Sequence, residues 1–437
     1  MYNRVQPKNE TVWGRMNNAE KEGGSCMRLL IWFVTLIAWI APASGQRKAD
    51  LSRLVVVGDS LSAGYQNGSL LSTQQTHGYA NLVAEQARVA LLLPLIAPPG
   101  IPNVLVLVNP GPPPILQQAP GVSAGRLDPS TQPTDLAVPG QNVQDALTTR
   151  PGFPIDNMTD LVLGLPGLLG GVSKSQVEWA EALNPSAILV WLGNNDALGA
   201  TIAADPSFLT PVSEFQSAFT QVMDRLAATD AKLVVANIPD VTLLPYLTPA
   251  ENVAEIVGLP ISIIGPILGI QDGDFVTPDA VPLIPVIMGN PTLGPLPGSV
   301  VLTAAEVAQI RAAVAAYNEV IASQAQAKGA ALVDIHALLD RIHTRGFVTM
   351  GQRLTTDYLG GIFSLDGIHS TNTGAAVVAN EFIHAMNTRF AAGISPIAIE
   401  QIAIDDPLVL PGVGHPASSL GHISAETAAS VRALVIH

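Results

Sequence analysis

Val55-Val56-Val57-Gly58-Asp59-Ser60-Leu61-Ser62-Ala63-Gly64-Tyr65 is the stretch that decides how this chain folds. Together with Leu54 it opens on four apolar, β-favouring residues, the pattern of a buried strand. The strand runs into a Gly-Asp-Ser turn that lifts the Ser60 hydroxyl above the C-terminal edge of a sheet. In open α/β sheets that edge is where ligands bind. A serine there matters chemically only beside a base, an orienting carboxylate and donors for an oxyanion.

Three further segments offer those groups. Asp366-Gly367-Ile368-His369 places a carboxylate three residues before an imidazole, so both side chains can converge on a single turn. A neutral imidazole held at its far nitrogen by a carboxylate can take a serine proton. Leu189-Val190-Trp191-Leu192-Gly193-Asn194-Asn195-Asp196 is a second apolar strand ending in a polar turn, and an Asn195 amide there can donate to a developing oxyanion. Leu136-Ala137-Val138-Pro139-Gly140-Gln141-Asn142 carries Gly140, whose missing side chain lets a backbone N–H come close to a substrate.

In this order the four segments resemble the blocks of the GDSL, or SGNH, hydrolases. Ser60 lies in Gly-Asp-Ser-Leu, Gly140 in the second block, Asn195 in Gly-x-Asn-Asp, and Asp366 with His369 in Asp-x-x-His. The resemblance spans roughly residues 52–390. It departs from the family pattern at Asp135, where the second block commonly begins with Asn, and at Ser370, where Pro often follows the histidine. It implies Ser60, His369 and Asp366 as the catalytic set, and the Ser60 and Gly140 N–H groups with the Asn195 amide as the oxyanion hole. It also implies ester chemistry without a cofactor.

Strand and helix patterns alternate around these blocks. Helices are expected at about 78–91, 175–183, 213–228, 303–328 and 373–390, and strands at 104–108, 188–192, 233–236 and 331–335. Ser213 with Gln216 and Thr303 with Glu306 have the spacing of capping boxes. The alternation implies βαβ units. The expected fold is therefore a three-layer α/β/α sandwich with a mainly parallel central sheet, flavodoxin-like in style. The hydrolase domain is expected over 46–395, with apolar Pro/Gly-rich insertions at about 91–133 and 243–301, followed by a tail over 396–437. Proline density in 243–301 argues against regular helix there. Its many Ile, Leu and Val residues suggest a cover over the Ser60 edge that forms an acyl-chain groove.

Composition limits the partners. The chain of 437 residues is 48% hydrophobic and 13% charged, with a formal net charge of −14. That charge excludes nucleic acid and anionic membrane as electrostatic partners. Residues 27–45, MRLLIWFVTLIAWIAPASG, have the basic start, apolar run and small-residue end of a secretory signal peptide. On this reading translation starts at Met27, the protein is secreted or periplasmic, and no stable transmembrane span remains after cleavage. The single cysteine, Cys26, falls in the removed part, so no disulfide is expected.

Plainer readings stand beside these. Ser60 and Asp366 could be turn caps, Asn195 a turn-stabilising amide, Gly140 an ordinary glycine after Pro139, and His369 a surface histidine. Gly121-Val122-Ser123-Ala124-Gly125 matches a nucleophile elbow but lacks the flanking strand and helix that an elbow needs. Asp272-Gly273-Asp274 lacks the remaining ligands of a calcium loop, so no metal is expected. The expected activity is hydrolysis of acyl-lipid or other hydrophobic esters. An acyltransferase, a carbohydrate deacetylase and a non-catalytic lipid-binding module are the alternatives. The sequence leaves the oligomeric state open.

Overall fold

The computed structural model describes residues 49–109, 115–409 and 425–436. The proposed signal segment and alternative start lie outside the described residues. Four strands form the central sheet: β1 (Leu54–Gly58), β2 (Ala187–Trp191), β3 (Lys232–Ala236) and β4 (Ala331–Val333), in that spatial order and all parallel. Every residue of β1 and β2 is buried, as near-continuous apolar strands require when both sheet faces are covered.

Register is what positions the site. Leu54 pairs with Ala187 and Gly58 with Trp191, so the turns after β1 and β2 leave the sheet side by side. On the other side of β1 the segment 134–138 runs parallel to it. Val56 N donates to Thr134 O (2.9 Å), Leu136 N to Val56 O (3.0 Å) and Val138 N to Gly58 O (3.1 Å). That segment therefore delivers Gly140 to the same edge.

Two sets of helices sandwich the sheet. Tyr79–Ala87 packs on Asn372–Phe390, which lies against β3 and β4. Val143–Thr148, Gln176–Ala182, Val212–Ala227 and Ala304–Ala327 make up the other set. The Thr303–Glu306 capping box forms: Thr303 N donates to Glu306 Oε2 (2.8 Å) and Thr303 Oγ1 accepts from Glu306 N (3.3 Å). The Ser213–Gln216 box does not. Pro211 is the N-cap there, and its fixed φ starts the helix at Val212, leaving Ser213 inside the first turn. Ser175 with Glu178 forms a box that the sequence reading passed over.

The two insertions depart from expectation. The 104–108 strand exists as Leu105–Asn109, but it pairs antiparallel with Ile115–Gln118 in a hairpin outside the central sheet. The second insertion contains helices despite its prolines: Ala250–Val257, Ile261–Leu268 and Leu283–Gly289. Pro249, Pro260 and Pro282 stand at their N-caps, and Pro285 in the first turn of the third, where no N–H has an intrahelical partner; Pro266 lies further inside the second. Their apolar faces close on one another, forming a second core of Val253, Ile264, Leu268, Ile284 and Ile287. Among the described residues no single helix is long and apolar enough to cross a membrane. The first two of these helices would qualify only as a pair bent by 105°.

The tail folds back. Asp406 is fully buried and accepts from Thr373 N (2.7 Å) and Thr373 Oγ1 (2.8 Å) in the first turn of Asn372–Phe390. The helix Ala425–Val435 buries Ala428, Val431 and Leu434 against the main body.

Because Ile264 is wholly buried in the second core, Ile264→Ala should destabilise the protein by about 2–5 kcal/mol in denaturant unfolding. A change below about 0.5 kcal/mol, the range of surface substitutions, would mean that this core is not formed.

Candidate active site

The turn after β1 is held by its own carboxylate. Asp59 is fully buried; its Oδ1 accepts from Leu61 N (3.0 Å) and its Oδ2 from Asn194 Nδ2 (2.8 Å), tying the β1 turn to the β2 turn. Burial pushes the Asp59 carboxyl up to about 6, against the pull of the Asn194 bond. Ser60 follows, with its Oγ 2.8 Å from His369 Nε2. His369 Nδ1 lies 3.1 Å from Asp366 Oδ2, and both side chains are almost completely buried.

Asp366 is shaped to stay ionised. Its Oδ1 accepts from Ile368 N and His369 N (both 2.9 Å), and its Oδ2 accepts from Gly68 N (2.7 Å) as well as from His369. Burial pushes this carboxyl up, but attraction to His369 and these hydrogen bonds leave it below its ordinary value. An ionised carboxylate only accepts, so Nδ1 carries the ring proton and Nε2 is free to accept from the Ser60 hydroxyl.

A second clamp, absent from the sequence reading, holds the Asp366 turn from the other side. Gly68 sits at φ +69°, a conformation costly for any residue with a Cβ, and this aims its N–H at Asp366. Asn67 N donates to Ser364 Oγ, and Asn67 Oδ1 accepts from Leu365 N (both 3.0 Å). Tyr65 OH donates to Gly68 O (2.7 Å), and its ring lies against the His369 ring with centroids 4.7 Å apart. The Tyr65 at the end of the quoted stretch was the available signal.

Donors gather opposite this line. Gly140 turns at φ +86°, and among the described residues no acceptor is assigned to its N–H or to that of Ser60. Asn195 Nδ2 donates one hydrogen to Gln141 O (2.9 Å), which fixes the amide and leaves its second hydrogen unused. Gln141 is held by Thr159 Oγ1 (2.9 Å) and Gln176 Nε2 (2.5 Å). Asp196 accepts from Val143 N (3.1 Å), and burial pushes its carboxyl up to about 7. The structure thus brings Ser60, His369 and Asp366 into one hydrogen-bonded line and carries Gly140 and Asn195 to the same sheet edge. It leaves Ser123 apart, its Oγ donating to Ala97 O (2.7 Å).

Ser60 and Asn195 open onto a narrow apolar pocket of about 80 Å³. Its walls come from Trp191, from Leu338 and Ile342 of the helix Ile335–Arg345, from Phe363, and from Val377 and Val378. The 243–301 insertion contributes only Leu244. The expected groove therefore does not come from Ile256–Ile270, of which Ile264, Leu268 and Ile270 are buried in the insertion's own core.

Comparison with known proteins agrees with the block pattern. The model of the GDSL-like lipase/acylhydrolase family matches residues 54–382, and the chain belongs to that family, which makes it a carboxylic ester hydrolase. No curated protein sequence matches the chain. Among solved structures it is similar to LAE5, an α/β hydrolase enzyme from the metagenome of Lake Arreo, Spain, at 14% identity, covering 78% of this chain and 98% of that one with a TM-score of 0.37. It is also similar to the esterase EstA from Pseudoalteromonas sp., at 13% identity, 77% and 97% coverage and a TM-score of 0.34. Phospholipase A1 from Streptomyces albidoflavus NA297 matches at 15% identity, with 78% and 100% coverage and a TM-score of 0.32.

Asp135, where the family commonly has Asn, gives a pH prediction. Burial pushes its carboxyl up to about 7, and its one backbone donor is Ala137 N (3.1 Å). The folded state therefore holds this proton more tightly than the unfolded one. The stability it supplies is complete below the ordinary carboxylate value of about 4 and is lost as pH rises through about 7. Asp135→Asn keeps the oxygen that accepts from Ala137. Its unfolding midpoint should exceed that of the wild type at about pH 8 but not at about pH 4. Equal midpoints at both would mean that Asp135 does not titrate in this window.

Proposed function

We propose that this chain is an exported serine esterase that cleaves esters of apolar acyl groups through an acyl-enzyme. The observation that carries the reading is the line Ser60 Oγ–His369 Nε2 (2.8 Å) and His369 Nδ1–Asp366 Oδ2 (3.1 Å). Ser60 Oγ attacks the acyl carbonyl as His369 Nε2 takes its proton, and Asp366 steadies the imidazolium that forms. The oxyanion is held by the Ser60 and Gly140 N–H groups and the free Asn195 amide hydrogen. His369 then protonates the departing alkoxide, and water, activated by the same ring, releases the acid.

The walls of the pocket beside Ser60 support apolar acyl groups over acetyl groups on sugars, because almost nothing there can hydrogen-bond a polar acyl moiety. Acyl transfer to another alcohol shares every step up to the acyl-enzyme, and product analysis with an added alcohol separates the two. Export rests on the signal-like run at 27–45.

Replacing Ser60 or His369 by Ala should lower kcat by about 10⁴- to 10⁶-fold, because the two act as a unit. Asn195→Ala should lower kcat roughly 10²- to 10³-fold with KM little changed. A Ser60→Ala variant with near-native turnover, or an Asn195→Ala effect confined to KM, would contradict these roles. Across p-nitrophenyl esters, binding should strengthen by up to about 0.8 kcal/mol per added methylene until the pocket is filled. A flat profile from acetyl upward would remove the pocket from acyl binding.

A further inference from the structure

The chain has a second and much larger cavity near the site, about 660 Å³ against about 80 Å³ for the acyl pocket. Tyr65, whose ring lies against His369, forms part of its wall together with Pro139 and Gln141, which flank Gly140. Another part of its wall is the C-terminal helix Ala425–Val435, through Ala433 and Leu434. That helix is fixed by its buried Ala428, Val431 and Leu434 and by an ion pair from Arg432 to Asp279. It lies beyond the 54–382 family match, so it adds a part of the wall to a cavity otherwise lined from residues 65–161.

We propose that this cavity is the leaving-group subsite and that it takes a neutral polyol, of the glycerol or sugar type, esterified by the acyl group. The proposal rests on the assignment of Ser60 as the nucleophile. When the acyl C–O bond breaks, its electron pair stays on the alcohol oxygen, which takes the proton from His369 Nε2. The alcohol must therefore depart beside His369, and Tyr65, whose ring packs on the His369 ring, belongs to the wall of this cavity. The volume falls in the range of small-molecule sites and exceeds what a simple alcohol needs.

The lining chemistry selects the class. Ile101, Met158 and Leu161 offer carbon surface, while Asp145, Asp156 and Asn157 offer polar atoms. Arg150 is engaged by Glu178 through two hydrogen bonds of 2.8 and 2.5 Å, which leaves the two aspartates as the unbalanced charge. Carboxylates accept hydrogen bonds from hydroxyls and repel a phosphate or carboxylate head group. Sugar and glycerol backbones present the matching mixture of hydroxyls and C–H faces.

The test holds the acyl chain constant and varies the alcohol: an ethyl ester, a monoacylglycerol and a sucrose monoester. The wild type should show a higher kcat/KM for the two polyol esters. Ala433→Trp, a substitution at an exposed position on the cavity wall, should lower kcat/KM for the polyol esters by about tenfold or more and leave the ethyl ester unchanged. Asp156→Asn should raise KM for the polyol esters alone, and Ala433→Ser should behave as the wild type. Equal losses on all three esters in Ala433→Trp, or a wild-type preference for the ethyl ester, would overturn the proposal. Retained turnover in Ser60→Ala would instead overturn the nucleophile assignment, and this proposal with it.

Discussion

The arrangement at the sheet edge depends on what happens at one oxygen, Asp366 Oδ2. It accepts from His369 Nδ1 at 3.1 Å and from Gly68 N at 2.7 Å, so the loop after β1 and the turn before the last long helix meet there. With Gly68 N aimed at it, the carboxylate stays charged in a fully buried position and can orient the imidazole. A buried charge without such partners would neutralise instead. The same loop carries Tyr65, which packs on the ring it helps to orient. The base is thus held through the chain segment that carries the nucleophile, five residues from Ser60 in sequence.

Much of this was legible because the local patterns and the global fold agree. A run such as Leu54–Val57 has no stable place except a strand covered on both faces, and the in-register pairing of β1 with β2 follows from two such runs. An Asp three residues before a His converges within one turn wherever that turn is placed. The Thr303–Glu306 box works because nothing competes for the helix start. At Ser213 the neighbouring Pro211 does compete, and it wins.

What was not legible depends on long-range pairing. Asn67 and Gly68 carry no local mark of a site, and their role appears only when residues 364–366 arrive to meet them. The prolines of 243–301 read as helix breakers, yet three of them stand at N-caps, where they favour a start. High apolar content in that insertion pointed to a groove. Short helices that cover one another bury side chains such as Ile264, Leu268, Ile284 and Ile287 in a core of their own, and the pocket walls come mainly from Ile335–Arg345 and Asn372–Phe390 instead. The helix Ile335–Arg345 was not anticipated, because its first residue was read as the end of the preceding strand.

The measurement closest to the central claim is covalent labelling by a fluorophosphonate, followed by peptide mapping. The account predicts an adduct on the peptide carrying Ser60, formed slowly or not at all in His369→Ala and unaffected by Ser123→Ala. An adduct on Ser123, or labelling of Ser60 at an undiminished rate in His369→Ala, would contradict it.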